Sequence, residues 1–124
     1  MEIETILISD VVDLTSIKGF FASDKDMLIQ LIGVYVSDTI PRLETLEKSV
    51  IRLDYDAVRS ICHFLKSSLG LMGVNCLEEI GALEKQAQNN ESEIIIKEKL
   101  KYILPIIKES ISEYKMILNK LEAL

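Results

Sequence analysis

The spacing of apolar residues in the last third of the chain is the feature that most limits how it can fold. Apolar residues recur there every three or four positions, which is the period of one face of an α-helix. They are Ile96, Leu100, Ile103, Ile107, Tyr114, Ile117 and Leu121. We therefore expect one long amphipathic helix from about Ser92 to Leu121, with a bend where Pro105 interrupts the hydrogen bonding of the helix.

Four further helices are predicted upstream, from helix-start residues and from the same apolar spacing. Their expected ranges are 13–22, 23–52, 55–72 and 75–88. The expected N-caps are Asp13, Ser23, Asp54 and Asn75. Pro41 lies inside the second of these helices, so we expect a bend over residues 36–40 rather than two separate elements. Glycine and proline are scarce, at five and two residues, which is typical of a helical chain.

Turns of two to four residues join the predicted helices, and such short turns place consecutive helices antiparallel. The expected fold is all-α: an antiparallel, up-and-down four-helix bundle forming a single domain, residues 1–124, with the short first helix laid across one end. Hydrophobic residues make up 48% of the chain, which is enough for a core. A helical repeat array is disfavoured because the sequence has no internal repeat. Residues 1–12 are rich in β-branched side chains and could be extended; they could cover the bundle or fray.

Charge and cysteine content narrow the classes of partner and compartment. The net charge is −6, which opposes binding to nucleic acid and to anionic membrane surfaces. The sequence has no run of eighteen apolar residues, so no membrane-spanning helix is expected. The first ten residues carry acids where a secretory signal has basic residues. Because Cys62 and Cys76 are far apart in sequence and the chain has one histidine, we expect a reducing, cytoplasmic location and no metal site.

The helix predicted over residues 55–72 contains the only histidine, His63. At 100° per residue, one side of this helix is a core stripe of Val58, Cys62, Leu65, Leu69 and Met72, joined by Ile61. The opposite side carries His63 with Arg59, Lys66, Ser67 and Gly70. The imidazole is therefore expected to point into solvent.

The neighbours of His63 suit a chemically active imidazole. A glycine inside a helix costs roughly 0.5–1 kcal/mol relative to alanine, so Gly70 on the solvent side indicates that another molecule must come close. Ser67 also leaves room there. A neutral imidazole is a good nucleophile near pH 7, and the ammonium group of Lys66, one turn away, can offset the charge of a phosphoryl group. A lone surface histidine, however, usually has no function, and each neighbour alone has an ordinary structural explanation.

The stretch HFLKSSLGLMGV, residues 63–74, resembles the phosphorylation-site signature of histidine-containing phosphotransfer (HPt) domains. That signature is a histidine, a lysine three residues later, small residues, and then a leucine- or methionine-glycine pair, here Met72 and Gly73. The stretches DYDAVRSICH, VSDTIPRLETLEKSV and CLEEIGALEKQA, the last with a Leu-Glu pair near its end, resemble neighbouring helices of the family. The resemblance covers residues 13–88. Ser67 departs from it, since the family usually has glycine at that position.

The resemblance to HPt domains implies a specific function. Such domains carry phosphoryl groups, as phosphohistidine, between aspartates of receiver domains in two-component phosphorelays. His63 would accept the phosphoryl group, and Lys66 would stabilise its charge. The partners implied are response-regulator receiver domains and a hybrid sensor histidine kinase, with Mg²⁺ on the receiver and no cofactor in this chain. We expect a monomeric phosphocarrier rather than a turnover enzyme, since the sequence has no glycine-rich nucleotide loop.

The resemblance implies that a docking surface surrounds His63. Ser67 and Gly70 are small and would leave the nitrogen of His63 accessible. On the helical wheel Phe64 and Leu71 flank the side that carries His63 and Arg59, and these three residues would contact the partner. An apolar docking rim could also include a residue of the short first helix, namely Ile17, Phe20 or Phe21. Ordinary core packing is the alternative for each of these apolar side chains.

Two other functions remain open from the sequence. The chain could be a helical adaptor that binds a receiver domain or a histidine kinase without carrying phosphate. An enzyme acting on a small molecule is disfavoured, because the sequence indicates no second catalytic group that converges on His63.

Overall fold

The computed structural model describes residues 2–124, and this part of the chain is all-helical, with six helices and no strand. The helices are α1 (Glu2–Ile6), α2 (Thr15–Phe21), α3 (Lys25–Ile51), α4 (Tyr55–Leu71), α5 (Leu77–Gln88) and α6 (Glu93–Glu122). The five helices predicted from the sequence correspond to α2–α6, so the all-helical prediction is confirmed. Helices α3 and α6 each run unbroken through an internal proline, Pro41 and Pro105 respectively.

The four longest helices share one hydrophobic core. Helix α3 packs against α4 and α6, and α5 packs against the same two helices from the other side. Every residue of the predicted α4 core stripe is buried, apart from the partly buried Ile61, and every residue of the α6 stripe is buried. Full burial of one such aliphatic side chain stabilises the fold by about 1.5–3 kcal/mol. These two stripes therefore fix which faces of α4 and α6 turn outward.

The N-terminal segment covers the bundle, one of the two outcomes that the sequence left open, but its first residues are not extended. Residues 2–6 form the short helix α1 instead of extended chain, and α1 lies against α6; Met1 is outside the described residues. Leu7 and Val12 are buried in the core, and the backbone N–H of Asp13 donates to the carbonyl of Gly73 over 2.9 Å. Packing against α6 thus overrides the local preference of β-branched residues for extended chain.

The predicted helix starts are correct to within one or two residues. The carboxylate of Asp54 caps α4 by accepting from the N–H of Ala57 at 3.1 Å, as predicted. Helix α3 is capped by Asp24 rather than by Ser23. The N-cap residue of α5 is Cys76 rather than Asn75, and its side chain makes no capping hydrogen bond. Cys76 is fully buried, so tertiary packing sets this boundary instead of capping chemistry.

The helix predicted to begin at Asp13 has Leu14 as its N-cap residue. The carboxylate of Asp13 nonetheless accepts from the N–H of Thr15 at 2.9 Å. This hydrogen bond lowers the pKa of Asp13, together with a bond from the Thr15 hydroxyl, which is the larger cause. Asp13 therefore still caps the start of α2, but it lies one residue before the N-cap position instead of occupying it.

Two glycines near the end of α4 have different structural roles. Gly73 has a φ of +65°, and a Cβ added there would lie 1.8 Å from the carbonyl oxygen of Asp13. Gly70 lies inside α4, and a Cβ there would meet Cδ2 of Leu77 at 3.6 Å, an ordinary contact. Gly73 is therefore required by the crossing of the N-terminal segment, whereas the fold itself does not require Gly70.

We predict that alanine at these two positions changes stability in opposite directions. Gly73→Ala should lower the free energy of unfolding by more than about 2 kcal/mol, because a left-handed backbone and a backbone clash coincide. Gly70→Ala should raise it by about 0.5–1 kcal/mol through helix propensity. Urea unfolding followed by circular dichroism measures both, with Gly81→Ala, in an open position of α5, as the propensity control. A Gly73→Ala protein as stable as the wild type would contradict this account.

Candidate functional site

His63 projects from the outer face of α4, as the helical wheel predicts. Its side chain is 72% exposed, while Cys62 and Leu65 beside it in sequence are fully buried. The ring is not free to rotate, because its Nδ1 atom lies 2.8 Å from Oε2 of Glu84 on α5. The imidazole is therefore accessible and oriented at the same time.

Glu84 holds two side chains of α4 with one carboxylate. Its Oε2 contacts Nδ1 of His63, and its Oε1 lies 2.7 Å from Nζ of Lys66. Only 16% of the Glu84 side chain is exposed, against 42% for Lys66. The expectation that no second group converges on His63 is therefore wrong: a carboxylate reaches it from the neighbouring helix. The three residues form a His63–Glu84–Lys66 cluster.

The Glu84 carboxyl is held in its ionised form by its two neighbours in the cluster. The hydrogen bond from Lys66 is the largest cause that lowers the pKa of the Glu84 carboxyl below its ordinary value, and the hydrogen bond from His63 adds to it. Partial burial acts in the opposite direction. Glu84 is therefore ionised at neutral pH and is a strong hydrogen-bond acceptor.

The carboxylate determines which nitrogen of His63 carries the proton in the neutral ring. An ionised carboxylate only accepts hydrogen bonds, so Nδ1 of the imidazole must carry the proton that points at Glu84. In the neutral ring the lone pair then resides on Nε2, since only one nitrogen is protonated. Nε2 is thus the ring nitrogen that keeps a lone pair, on a side chain that is 72% exposed.

The other predicted access residues lie where expected, with one difference. Ser67 is exposed, next to His63 on the outer face of α4. Gly70 is only partly exposed, because Leu77 of α5 lies against it. The neighbour that approaches Gly70 in this structure is thus part of the same chain.

The predicted docking residues differ in how exposed they are. Phe64 is 46% exposed and Leu71 is partly buried, and both border a groove between α4 and α3. Arg59 is exposed on the side of α4 that carries His63. Ile17 is fully buried in the core and cannot contribute to a docking rim. In contrast, the neighbouring Phe20 is 72% exposed.

Arg42 of α3 also belongs to this surface. Its guanidinium carbon lies 3.6 Å from the centroid of the Phe64 ring, which is the geometry of a cation–π interaction. Its Nη1 donates to the carbonyl of Asp38 over 2.7 Å. The face around His63 therefore has a third cation on the α3 side, in addition to Arg59 and Lys66.

Residues 2–124 contain no group of three or more His, Cys, Asp or Glu side chains placed to hold a metal ion. Among the same residues, no helix is both long enough and apolar enough to span a membrane. Comparisons with protein-family models, with characterised proteins and with solved structures give no significant match for this chain.

Sequence reasoning missed Glu84 and Arg42. Glu84 belongs to the Leu-Glu pair of the fourth predicted helix, but a pair of this kind does not show which side chain it will meet. The available signal was its place next to the core residue Leu83, on the edge of α5 that faces α4. Arg42 gave no sequence signal, because its role depends on how α3 and α4 are packed.

We predict that Lys66→Met raises the pKa of the Glu84 carboxyl more than His63→Gln does, because the bond from Lys66 is the larger cause of the lowering. Carbon-13 NMR titration of the carboxyl measures both shifts. Since the folded-state pKa is lowered, the cluster stabilises the fold above the ordinary glutamate pKa, and this contribution is lost as pH falls through the lower folded value. An unchanged Glu84 pKa in Lys66→Met would show that this ion pair does not form in solution.

Proposed function

We propose that this chain is an HPt-type phosphocarrier that accepts a phosphoryl group on Nε2 of His63 from an aspartyl phosphate of a receiver domain and passes it to another receiver. The observation that carries this proposal is the accessible His63 whose Nδ1 is engaged by Glu84 at 2.8 Å. A reactive nitrogen is thus directed outward, with the ammonium group of Lys66 on the same carboxylate.

The proposed step needs only a lone pair and a leaving carboxylate. The Nε2 lone pair attacks phosphorus, a nitrogen–phosphorus bond forms, and the bond between phosphorus and the aspartyl oxygen breaks, which regenerates the aspartate of the receiver. Nδ1 keeps its proton, so the imidazole ring becomes positively charged. Glu84 stabilises that charge through the hydrogen bond at Nδ1, as a carboxylate orients and stabilises a catalytic imidazolium.

Lys66 is placed to stabilise the negative charge of the phosphoryl group. A phosphoryl group brings about two negative charges, and Lys66 lies one turn from His63 with 42% of its side chain exposed. Its ammonium group can move from Glu84 to a phosphoryl oxygen while remaining near both. Glu84 then neutralises the positive charge of the ring, and Lys66 offsets about one of the two negative charges of the phosphoryl group.

The remaining parts of the reaction are assigned to the partner. Drawing phosphate from ATP requires a nucleotide loop and bound Mg²⁺, and we propose that a hybrid sensor histidine kinase and the receiver domains supply them.

We further propose the antiparallel four-helix bundle of this family for α3–α6, supported by the contacts of each of these helices with two others. The free thiols of Cys62 and Cys76 suit a reducing, cytoplasmic location, and we expect the carrier to act as a monomer.

The direct test is phosphoryl transfer from receiver domains. Purified receivers of the source organism, phosphorylated with radiolabelled acetyl phosphate, should label the wild type and not His63→Gln. The phosphate on the chain should be stable in base and labile in acid, as expected for phosphohistidine. Equal labelling of wild type and variant would reject the proposal. Binding of a receiver without labelling of either protein would instead support the adaptor function.

Glu84→Gln tests the role of the carboxylate. Glutamine can still accept from Nδ1, but it lacks the charge that stabilises the ring, and a charge-assisted hydrogen bond is roughly twice as strong as a neutral one. We expect the transfer rate to fall roughly tenfold, equivalent to about 1.4 kcal/mol, with little change in receiver affinity. Rapid-quench transfer kinetics measure the rate, and Glu79→Gln, on the same helix, is the matched control. An unchanged rate would show that Glu84 is only structural.

A further inference from the structure

Ser67 lies one helical turn after His63 on α4, and its side chain is exposed. Its hydroxyl makes no hydrogen bond within residues 2–124, whereas that of the next residue, Ser68, donates to the carbonyl of Leu65 at 3.2 Å. We propose that the Ser67 hydroxyl donates a hydrogen bond to an oxygen of the phosphoryl group on Nε2 of His63, and thereby favours phosphohistidine over aspartyl phosphate in the exchange with a receiver domain. This proposal rests on the proposed function.

Ser67 lies on the side of His63 towards which Nε2 is directed. At 100° per residue, Lys66 is displaced about 60° from His63 around the helix in one direction, and Ser67 about 40° in the other. Lys66 shares the carboxylate of Glu84 with Nδ1 of the ring, so the side of Lys66 is the one that faces α5. Because Nε2 lies across the ring from Nδ1, it is directed towards the side of Ser67.

The position of Ser67 along the helix also brings its hydroxyl towards the ring. Every Cα–Cβ bond of a helix is tilted toward the N-terminus, and side chains four residues apart are neighbours, with about 5–6 Å between their Cβ atoms. The Ser67 side chain therefore leans back towards His63. Ser60 is an exposed serine three residues before His63, and its side chain leans away from the ring. Ser67 is thus the better placed of these two serines.

A hydroxyl supplies what Lys66 alone does not. A phosphoryl group carries about two negative charges and three strong acceptor oxygens, whereas Lys66 brings one charge and is held by Glu84 at 2.7 Å. A serine hydroxyl has one O–H to donate and rotates to suit its acceptor. Glycine, the usual residue of HPt domains at the position of Ser67, has no hydroxyl, so this contact is particular to this chain.

The hydrogen bond from Ser67 exists only in the phosphorylated state. Because Ser67 is exposed, its hydroxyl is hydrated before phosphorylation. The new bond lowers the free energy of phosphohistidine and leaves that of the unphosphorylated chain and of the receiver unchanged. A hydrogen bond to a charged acceptor is stronger than a neutral one, but the exchange with water reduces the net gain. We therefore expect the equilibrium constant for transfer to this chain to rise about threefold.

The test removes and restores the hydroxyl. Ser67→Ala removes it, Ser67→Thr keeps a hydroxyl, and Ser60→Ala is the matched control. Each protein is phosphorylated on His63 with phosphoramidate, a small donor that needs no receiver, and phosphorus-31 NMR follows the decay of phosphohistidine. Decay by hydrolysis breaks the nitrogen–phosphorus bond, attaches a water oxygen to phosphorus and returns the lone pair to Nε2. Each phosphorylated protein is then equilibrated with the receiver that best labels the wild type.

We expect both the half-life of phosphohistidine and its equilibrium share against the receiver to fall about threefold in Ser67→Ala. Both should be largely restored in Ser67→Thr and unchanged in Ser60→Ala. The loss in Ser67→Ala should persist at high salt, because a hydroxyl has no charge to screen, whereas the effect of Lys66→Met should shrink.

The proposal for Ser67 and the proposed function fail in different ways. If either quantity is unchanged in Ser67→Ala, or falls as much in Ser60→Ala, the Ser67 proposal is overturned while His63 still carries phosphate. If no receiver exchanges phosphate with the wild type, the proposed function fails, and the half-life of the phosphoramidate-labelled chain still decides whether Ser67 binds the phosphoryl group. A His63 that phosphoramidate cannot label would overturn both.

Discussion

The carboxylate of Glu84 is the interaction on which the candidate site depends. It lies 2.8 Å from the His63 ring and 2.7 Å from the Lys66 ammonium group, and it connects α5 to α4. Without it, an exposed imidazole would rotate freely and exchange its proton between two nitrogens. With it, one nitrogen is protonated and engaged, and the other is directed to solvent. The imidazole thereby has one preferred orientation and one preferred site of protonation.

Core packing brings this carboxylate to the histidine. Helices α4 and α5 have extensive contact, and the buried Cys62, Leu65, Ile80 and Leu83 fix their relative position. At the C-terminal end of α4, the N-terminal segment is held by the hydrogen bond from the N–H of Asp13 to the carbonyl of Gly73. The polar cluster on the surface is therefore positioned by apolar contacts beneath it, as is usual when a rigid scaffold presents a reactive group.

Much of the fold, but less of the site, can be predicted from this sequence. The 3.6-residue period identifies α3–α6 and the outward face of His63, because that information is local to each helix. Glu84 and Arg42 could not be assigned in the same way, since their roles arise from contacts between helices. Short-range signals also failed where packing dominates: residues 2–6 are helical although β-branched residues are frequent there, and Ile17 is core rather than rim.

The central claim is that Glu84 keeps the proton of His63 on Nδ1 and leaves Nε2 to accept the phosphoryl group. NMR of the nitrogen-15-labelled protein, phosphorylated on His63 with phosphoramidate, identifies the modified nitrogen through its coupling to phosphorus. The account predicts phosphate on Nε2, with Nδ1 still protonated and hydrogen-bonded. Phosphate on Nδ1, or a wild-type ring that cannot be phosphorylated, would contradict it.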